Sequence, residues 1–243
     1  MLAFFLLHGK INTLSSTPPI SSSSRSEAIQ KMFGLISGKY DFFNHFFSLG
    51  FDLWWRRCLI SETLKYRPEY ILDLATGSGD VALAFQSKGV KVMGADFCVP
   101  MLELARKKGV LELKKANALN LPFADHSFNA VTIAFGFRNF TDLPRALAEI
   151  YRVLKPEGYL HILEFSHPYW WLRPFYYIYL KYIMPLLTQF FTGQGDAYSY
   201  LNDSIRGFLQ QEELCTMLEK SGFKNPYFKN INFGIVALHS ARK

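Results

Sequence analysis

From Tyr70 onward short apolar runs alternate with helix-like stretches, and this rhythm leaves few folds open. Tyr70 to Ala75 (YILDLA) is an apolar run ending at glycines, residues 80–88 read as a helix, and residues 90–95 return as a strand. A second helix over 99–108 leads to a weak strand at 111–116. Residues 130–135 and 159–165 are two further buried strands, separated by a helix over 143–154. Apolar runs of this length belong to strands covered on both faces, and strands separated by single helices pair in parallel. The rhythm predicts an α/β fold with a doubly wound, mostly parallel sheet, whose ligands bind beyond the carboxyl ends of the strands. Function is therefore expected in the loops that begin at Ala75, Ala95, Ala116, Phe135 and Phe165.

The 243 residues suit one domain, assigned to 27–243. Residues 1–26 hold a short apolar stretch and a Ser/Thr/Pro-rich run, and are expected to form a disordered tail. The apolar stretch is much shorter than the roughly 20 residues a membrane span requires, and no basic residue precedes it. Cys58, Cys98 and Cys215 are too few and too scattered for a disulfide framework or a thiolate metal site, so a reducing compartment and no metal are expected. A net charge of +7 favours anionic partners without choosing among them.

The first loop reads Asp73-Leu74-Ala75-Thr76-Gly77-Ser78-Gly79-Asp80. Gly77 and Gly79 permit positive φ and close backbone approach to a ligand, which marks a nucleotide-type site. Residues 77–82 satisfy the G-x-G-x-x-A dinucleotide pattern, but the acids oppose it. A pyrophosphate wants the positive end of the helix, whereas Asp80 occupies its first turn and Asp73 points at the same crevice. S-adenosylmethionine carries a sulfonium and an ammonium and no phosphate, and the acids suit those charges. The simpler reading of Asp80 is a residue that favours the helix dipole.

Asp96 ends the second strand, where a carboxylate accepts hydrogen bonds from both ribose hydroxyls of an adenosine. Its alternative role is a cap for the helix that begins Val99-Pro100. The third loop offers Asn117 and Ala118 beside Leu119, Leu121 and Phe123. An amide can donate and accept at an adenine edge while apolar neighbours cover the ring. Together the three loops fit an adenosylmethionine site.

With these loops on the page, the chain resembles the class I methyltransferases and, more narrowly, the UbiE/MenG family of ubiquinone and menaquinone biosynthesis C-methyltransferases. The narrow match rests on Tyr40-Asp41-x-x-Asn44, the glycine loop with Gly77, Ser78 and Gly79, Asn117-Ala118 with Leu121-Pro122-Phe123, and Phe135-Gly136-Phe137-Arg138-Asn139. It continues through Tyr151-Arg152-Val153-Leu154-Lys155-Pro156, Leu163-Glu164-Phe165-Ser166, Asp196-x-Tyr198-x-Tyr200-Leu201, Ser204-Ile205 and Gly234 to His239, and covers about residues 30–243. The resemblance implies a seven-stranded, Rossmann-like sheet and methyl transfer from S-adenosylmethionine to a ring carbon of a polyprenylated quinol. Three positions depart from the family's usual residues: Ala134 and Cys98, both in place of a frequent Ser, and Phe208-Leu209.

The chemistry needs water excluded and a nucleophilic carbon aligned with the activated methyl. A quinol carbon becomes nucleophilic when a ring hydroxyl loses its proton. Arg138 is the candidate for stabilising that oxyanion and Asn139 for orienting a hydroxyl or a water. Tyr40, His45, Asp196, Tyr198 and Tyr200 are further candidates near the mouth. Arg138 could instead cap a surface helix or pair with Asp142, and the two tyrosines could simply serve packing.

Between Tyr169 and Phe191, 10 of 23 residues are aromatic and only Arg173 and Lys181 are charged. Pro174 and Pro185 break the run, so a continuous spanning helix is not expected. The segment reads as an aromatic helical lid insertion over the acceptor, at about 167–200, that meets the membrane interface where the quinol resides. A second aromatic segment at about 40–56 closes the pocket from the other side. Burial of both stripes in the core is the competing reading. The expected location is cytoplasmic, peripheral on the inner face of the membrane. Demethylmenaquinol is the expected acceptor, with the ubiquinone-pathway benzoquinol as alternative, because no organellar address is evident. A non-catalytic adenosylmethionine-binding or nucleic-acid-binding protein is the contrasting class. Nucleic acid is not an expected partner because the aromatic segments carry few cations. A homodimer is left open.

Overall fold

The computed structural model describes residues 45, 48, 50–183 and 204–243. The expected tail at 1–26, Tyr40, the later part of the lid and Asp196, Tyr198 and Tyr200 lie outside the described residues.

Helix α1 (Phe51–Leu64) precedes β1 (Tyr70–Leu74), α2 (Asp80–Gln86), β2 (Lys91–Asp96), α3 (Val99–Lys108), β3 (Glu112–Lys115) and β4 (Phe128–Ala134). A 3₁₀ turn at Phe137–Asn139 leads to α4 (Leu143–Val153), β5 (Leu154–Phe165), the short helix α5 (Arg173–Ile178) with a π turn at Tyr179–Ile183, α6 (Gln211–Lys220), β6 (Lys224–Ile231) and β7 (Val236–Arg242). The seven strands form one sheet in the order β3-β2-β1-β4-β5-β7-β6. The first five run parallel and β7 is antiparallel to both its neighbours.

The period of two along the strands sorts the core onto two faces. Leu72, Val131, Ile133, Leu160 and Ile162 join Leu147 and Ile150 of α4 and Leu214 of α6 on one side. Ile71, Ala130, Leu163 and Val236 meet Trp55 and Leu59 of α1 and Val81 and Phe85 of α2 on the other. Burying each large side chain contributes about 1.5–3 kcal/mol, so the two layers fix the sheet register. Local signals set the helix ends. Asp142 accepts the Arg145 N–H at 3.0 Å to start α4, and Gly109, at φ 104°, stops α3.

Two boundaries differ from the sequence reading. Strand β4 begins at Phe128, and β5 begins at Leu154 directly after α4, running through Lys155-Pro156-Glu157-Gly158. A register shift between Phe128 and Ala130 absorbs the irregularity, so turn-forming residues sit inside a strand. Helix α1 was not expected as a helix. Its inward residues Trp55, Leu59 and Ile60 cover the sheet, while Phe51 and Trp54 remain about half exposed.

Candidate active site

Beyond Leu74 the chain turns by alternating into left-handed conformation at Ala75, Gly77 and Gly79, with φ of 57°, 55° and 87°. Gly79 is doubly constrained: a Cβ there would lie 2.6 Å from Val110 Cγ2 and 2.9 Å from Ala105 Cβ, so its absence lets α2 sit against the α3 end. Gly77 has nothing within 4 Å on its open side. That side belongs to a cleft of about 340 Å³, part of it open to solvent, lined by residues including Arg56, Asp73, Gly77, Ser78, Asp80 and Ala134.

The carboxylates around this cleft differ in what they can offer. Register places Asp73 beside Thr132 of β4, whose hydroxyl donates at 2.9 Å, while the Thr76 hydroxyl donates at 2.6 Å. Burial pushes the Asp73 carboxyl up to about 6 against these two bonds, which favour the charged form. Asp96 accepts the Gly77 N–H at 2.9 Å on one oxygen and the Cys98 N–H at 2.8 Å on the other. It thereby ties the first loop to the second, and burial raises its pKa. The capping residue of α3 is Cys98, so the cap role weighed for Asp96 is not what it performs. The Phe97 N–H also lowers the Asp96 pKa, so backbone donors from both loops hold this carboxylate.

Asp80 requires a correction. Arg56 and Lys108 each donate to it at 2.7 Å, so its charge is met within the protein and Asp73 and Asp96 carry the free negative character of the site. Arg56 also lies 3.3 Å from Asp52, which His45 Nδ1 reaches at 2.7 Å. Sequence reasoning missed Arg56. Its only signal was the Asp52–Arg56 spacing of four on a helix face, which marks a pair but not a place. In the third loop Asn117 is exposed, with its Oδ1 accepting the Leu119 N–H at 3.0 Å, and Ala118 is buried.

A second centre stands at the carboxyl ends of β4 and β5. A Cβ on Gly136 would lie 2.5 Å from Ala75 Cβ, so this glycine brings the β4 loop against the glycine loop. Arg138 follows, with its side chain 8% exposed. It donates to Phe135 O at 2.8 Å and pairs with Glu164, a buried carboxylate at the end of β5. The pairing with Asp142 weighed from sequence does not form, because Asp142 caps α4. The Asn139 N–H donates to Gly136 O at 3.1 Å, and the residue is half-buried. Glu164 was present in a quoted motif without a role. A carboxylate ending a buried strand was the available signal.

Helix α5 packs beside this centre. Tyr176 and Leu180 gather with Ile205 against Phe165 and Ile235. Burial pushes the Tyr176 phenol well above its usual range, and the charge of Arg138 opposes that shift. His167 ties α5 to the chain at Phe208, its Nδ1 2.8 Å from the Tyr177 hydroxyl and its Nε2 2.9 Å from Phe208 O.

A family model described as the ubiE/COQ5 methyltransferase family matches residues 21–243. The chain belongs to the ubiE/COQ5 methyltransferase family. A demethylmenaquinone methyltransferase of Thermus thermophilus is 44% identical over 216 residues, 86% of this chain and 98% of the relative. One of Deinococcus radiodurans is 38% identical over 235 residues, 93% and 97% of the two chains. A ubiquinone/menaquinone biosynthesis C-methyltransferase of Geotalea daltonii is 38% identical over 233 residues, 91% and 98% of the two chains. Among solved structures, a SAM-dependent methyltransferase of Thermotoga maritima superposes with a TM-score of 0.62 at 22% identity, covering 88% of this chain and 99% of that one. A phosphoethanolamine N-methyltransferase of Haemonchus contortus in complex with S-adenosyl-L-methionine has a TM-score of 0.57 at 16% identity, covering 77% and 52%. This family member is a methyltransferase with the class I, Rossmann-like sheet.

The donors and acceptors of the cleft fit a cationic adenosine ligand. The Asp73 carboxylate lines it, Asp96 braces the loop at Gly77, Gly77 leaves its open side clear, and Arg56, held by Asp80 and Asp52, stands on the same wall. Ala134 stands on the cleft wall, where a serine would add a hydroxyl and this chain has a methyl group.

Proposed function

We propose that this methyltransferase moves the methyl group of S-adenosylmethionine to a ring carbon of a polyprenylated naphthoquinol, converting demethylmenaquinol to menaquinol. The observation that carries the reading is similarity along nearly the whole chain to relatives named demethylmenaquinone methyltransferase, at 38–44% identity in the two described above. The benzoquinol of the ubiquinone pathway is the second reading, favoured by the Geotalea daltonii relative whose name spans both pathways.

When bound, the cofactor supplies an activated methyl on a sulfonium. Asp96 then holds the ribose, Gly77 and Ser78 admit the chain of the cofactor close to the backbone, and Asn117 and Ala118 flank the adenine. Arg138 meets the negative charge that develops on the acceptor oxygen, and Asn139 orients a hydroxyl or a water for proton removal. Tyr40, Asp196, Tyr198 and Tyr200 complete the proposed acceptor side. Tyr176 and its neighbours exclude water above Arg138.

The acceptor comes from a bilayer, and the surface around the lid suits one. Trp170 is 81% and Phe175 68% exposed, near Lys181 and Arg173, and α1 presents Phe51, Leu53, Trp54 and Arg57. Among the described residues 45–58 and 166–183, Asp52 is the one acid, and it is buried. Aromatic rings with cations and no exposed carboxylate match an anionic lipid interface. Among the described residues no helix is long and apolar enough to cross a membrane, so the attachment proposed is peripheral.

Quinone profiling tests the acceptor. In a strain that lacks this protein, mass spectrometry should find demethylmenaquinone accumulating at the expense of menaquinone, and the gene should restore it. Accumulation of a demethylated benzoquinone would select the second reading, and an unchanged quinone pool would overturn both.

A further inference from the structure

Glu164 is a deeply buried charge near the site that the mechanism above leaves unused. Its side chain is 1% exposed. One of its oxygens accepts from the Arg138 guanidinium and from the Phe165 N–H at 2.9 Å, and the other accepts the Arg138 N–H at 3.2 Å. The same carboxylate thus grips Arg138 by its backbone and by its head. The Phe135 carbonyl holds the same Nη1 atom, and the guanidinium carbon sits 5.3 Å from the centre of the Phe165 ring. Those constraints converge on one end of the guanidinium. Its Nε, in contrast, is buried with no hydrogen-bond partner among the described residues, and so is Ser166 Oγ, one residue beyond Phe165.

Such unmatched donors in a native interior point to a ligand, a water or strain. The fold has little need of the pair itself, since a buried ion pair can often be replaced by apolar side chains without loss of stability. Ile162 and Leu160, on the same face of β5, show what that strand otherwise places there. A carboxylate at this position makes sense if the direction of Arg138 matters.

We propose that Glu164 is a positioning residue for methyl transfer: it locks one end of the Arg138 guanidinium so that the Nε edge is presented to the ring oxygen of the acceptor. The proposal rests on the role assigned above to Arg138. It also explains why the pair is closed in on the protein side, since a guanidinium free to turn would spend binding energy on being oriented in each cycle.

The test uses the full chain with a short-chain demethylnaphthoquinol as acceptor and four variants: Glu164→Gln, Glu164→Asp, Arg138→Met and the double Arg138→Met/Glu164→Gln. Glu164→Gln should lower kcat by about 10²-fold, the loss that a misplacement of about 1 Å can cause. Calorimetric affinity for S-adenosylhomocysteine and the KM for the cofactor should stay unchanged. Glu164→Asp keeps the charge and thus the fold, and should recover part of kcat. The double variant should be no slower than Arg138→Met alone, because Glu164 acts through Arg138. Full activity in Glu164→Gln beside an impaired Arg138→Met, or losses that multiply in the double variant, would overturn the proposal alone. Full activity in Arg138→Met would overturn the role of Arg138 itself, and with it the basis for the proposal.

Discussion

Replacing Asp96 by Asn separates binding from stability in a way the structure makes quantitative. The carboxylate accepts the Gly77 and Cys98 N–H groups, and in the proposed complex it accepts two ribose hydroxyls as well. An amide keeps one acceptor oxygen and turns an NH₂ toward the other backbone N–H. On the binding side the variant loses one charge-assisted bond of about 1.5–3 kcal/mol, which is a loss in affinity of roughly 10- to 150-fold. On the stability side the sign is different. Burial raises the pKa of Asp96 above its unfolded value, so the folded chain holds the proton more tightly, and stability falls as pH rises between the two values. At neutral pH the ionised carboxylate therefore costs the fold something that asparagine does not, which offsets the weakened loop bond.

The expected result is a variant that melts within a few degrees of the parent and binds S-adenosylhomocysteine at least tenfold more weakly by calorimetric titration. An unchanged dissociation constant in a folded Asp96→Asn chain would falsify the ribose assignment. A collapse of the melting temperature would instead show that Asp96 serves mainly to join the two loops.

Three further outcomes follow from named contacts. Gly79→Ala should destabilise the chain by about 2 kcal/mol or more, read as a lower urea midpoint, because the position has φ 87° and the new Cβ meets Val110 at 2.6 Å. Burial lowers the pKa of His161 from 6.5 to about 4, so the stability of its neutral form is full above 6.5 and is lost as pH falls through that window; His161→Phe should remove about 3 kcal/mol of acid destabilisation in urea titrations between pH 7 and 4. Trp170→Ser should reduce binding to anionic liposomes and raise KM for a long-chain quinol more than for a short one, with the melting temperature intact; Trp171 lies 5.5 Å from Phe233, and its replacement should lower stability instead.

What was legible in the sequence was what neighbouring residues enforce on one another. Strands β1, β2, β4 and β5 announced themselves because a strand covered on both faces has no polar alternation to hide in, whereas β3, Glu112–Lys115 at the exposed edge, gave only a weak signal. The glycine loop was legible for the same reason, since positive φ and close approach are demands on single positions. The carboxyl-terminal pair was not placed. Residues 232–234 turn β6 tightly into β7 with left-handed φ at all three, which makes a local hairpin. That β7 then slots between β5 and β6 is decided by tertiary packing of Val236 and Leu238 against the α1 face, and no local pattern encodes it.

The same distinction governs the site. A local rule directed Arg138 to Asp142, four residues on, and that rule lost because Asp142 had a better local use as the cap of α4. The true partner is 26 residues away, and it becomes a neighbour only because β4 and β5 pair in parallel with Ala134 opposite Leu163. Glu164 is the next residue of β5, and Arg138 returns to it after the turn through Gly136, whose lack of a Cβ allows the loop to pass Ala75. Arg138 meets this carboxylate only in this register. Its charge is therefore neutralised only when the sheet is assembled, which couples the geometry of the proposed oxyanion site to the integrity of the fold rather than to the loop that carries it.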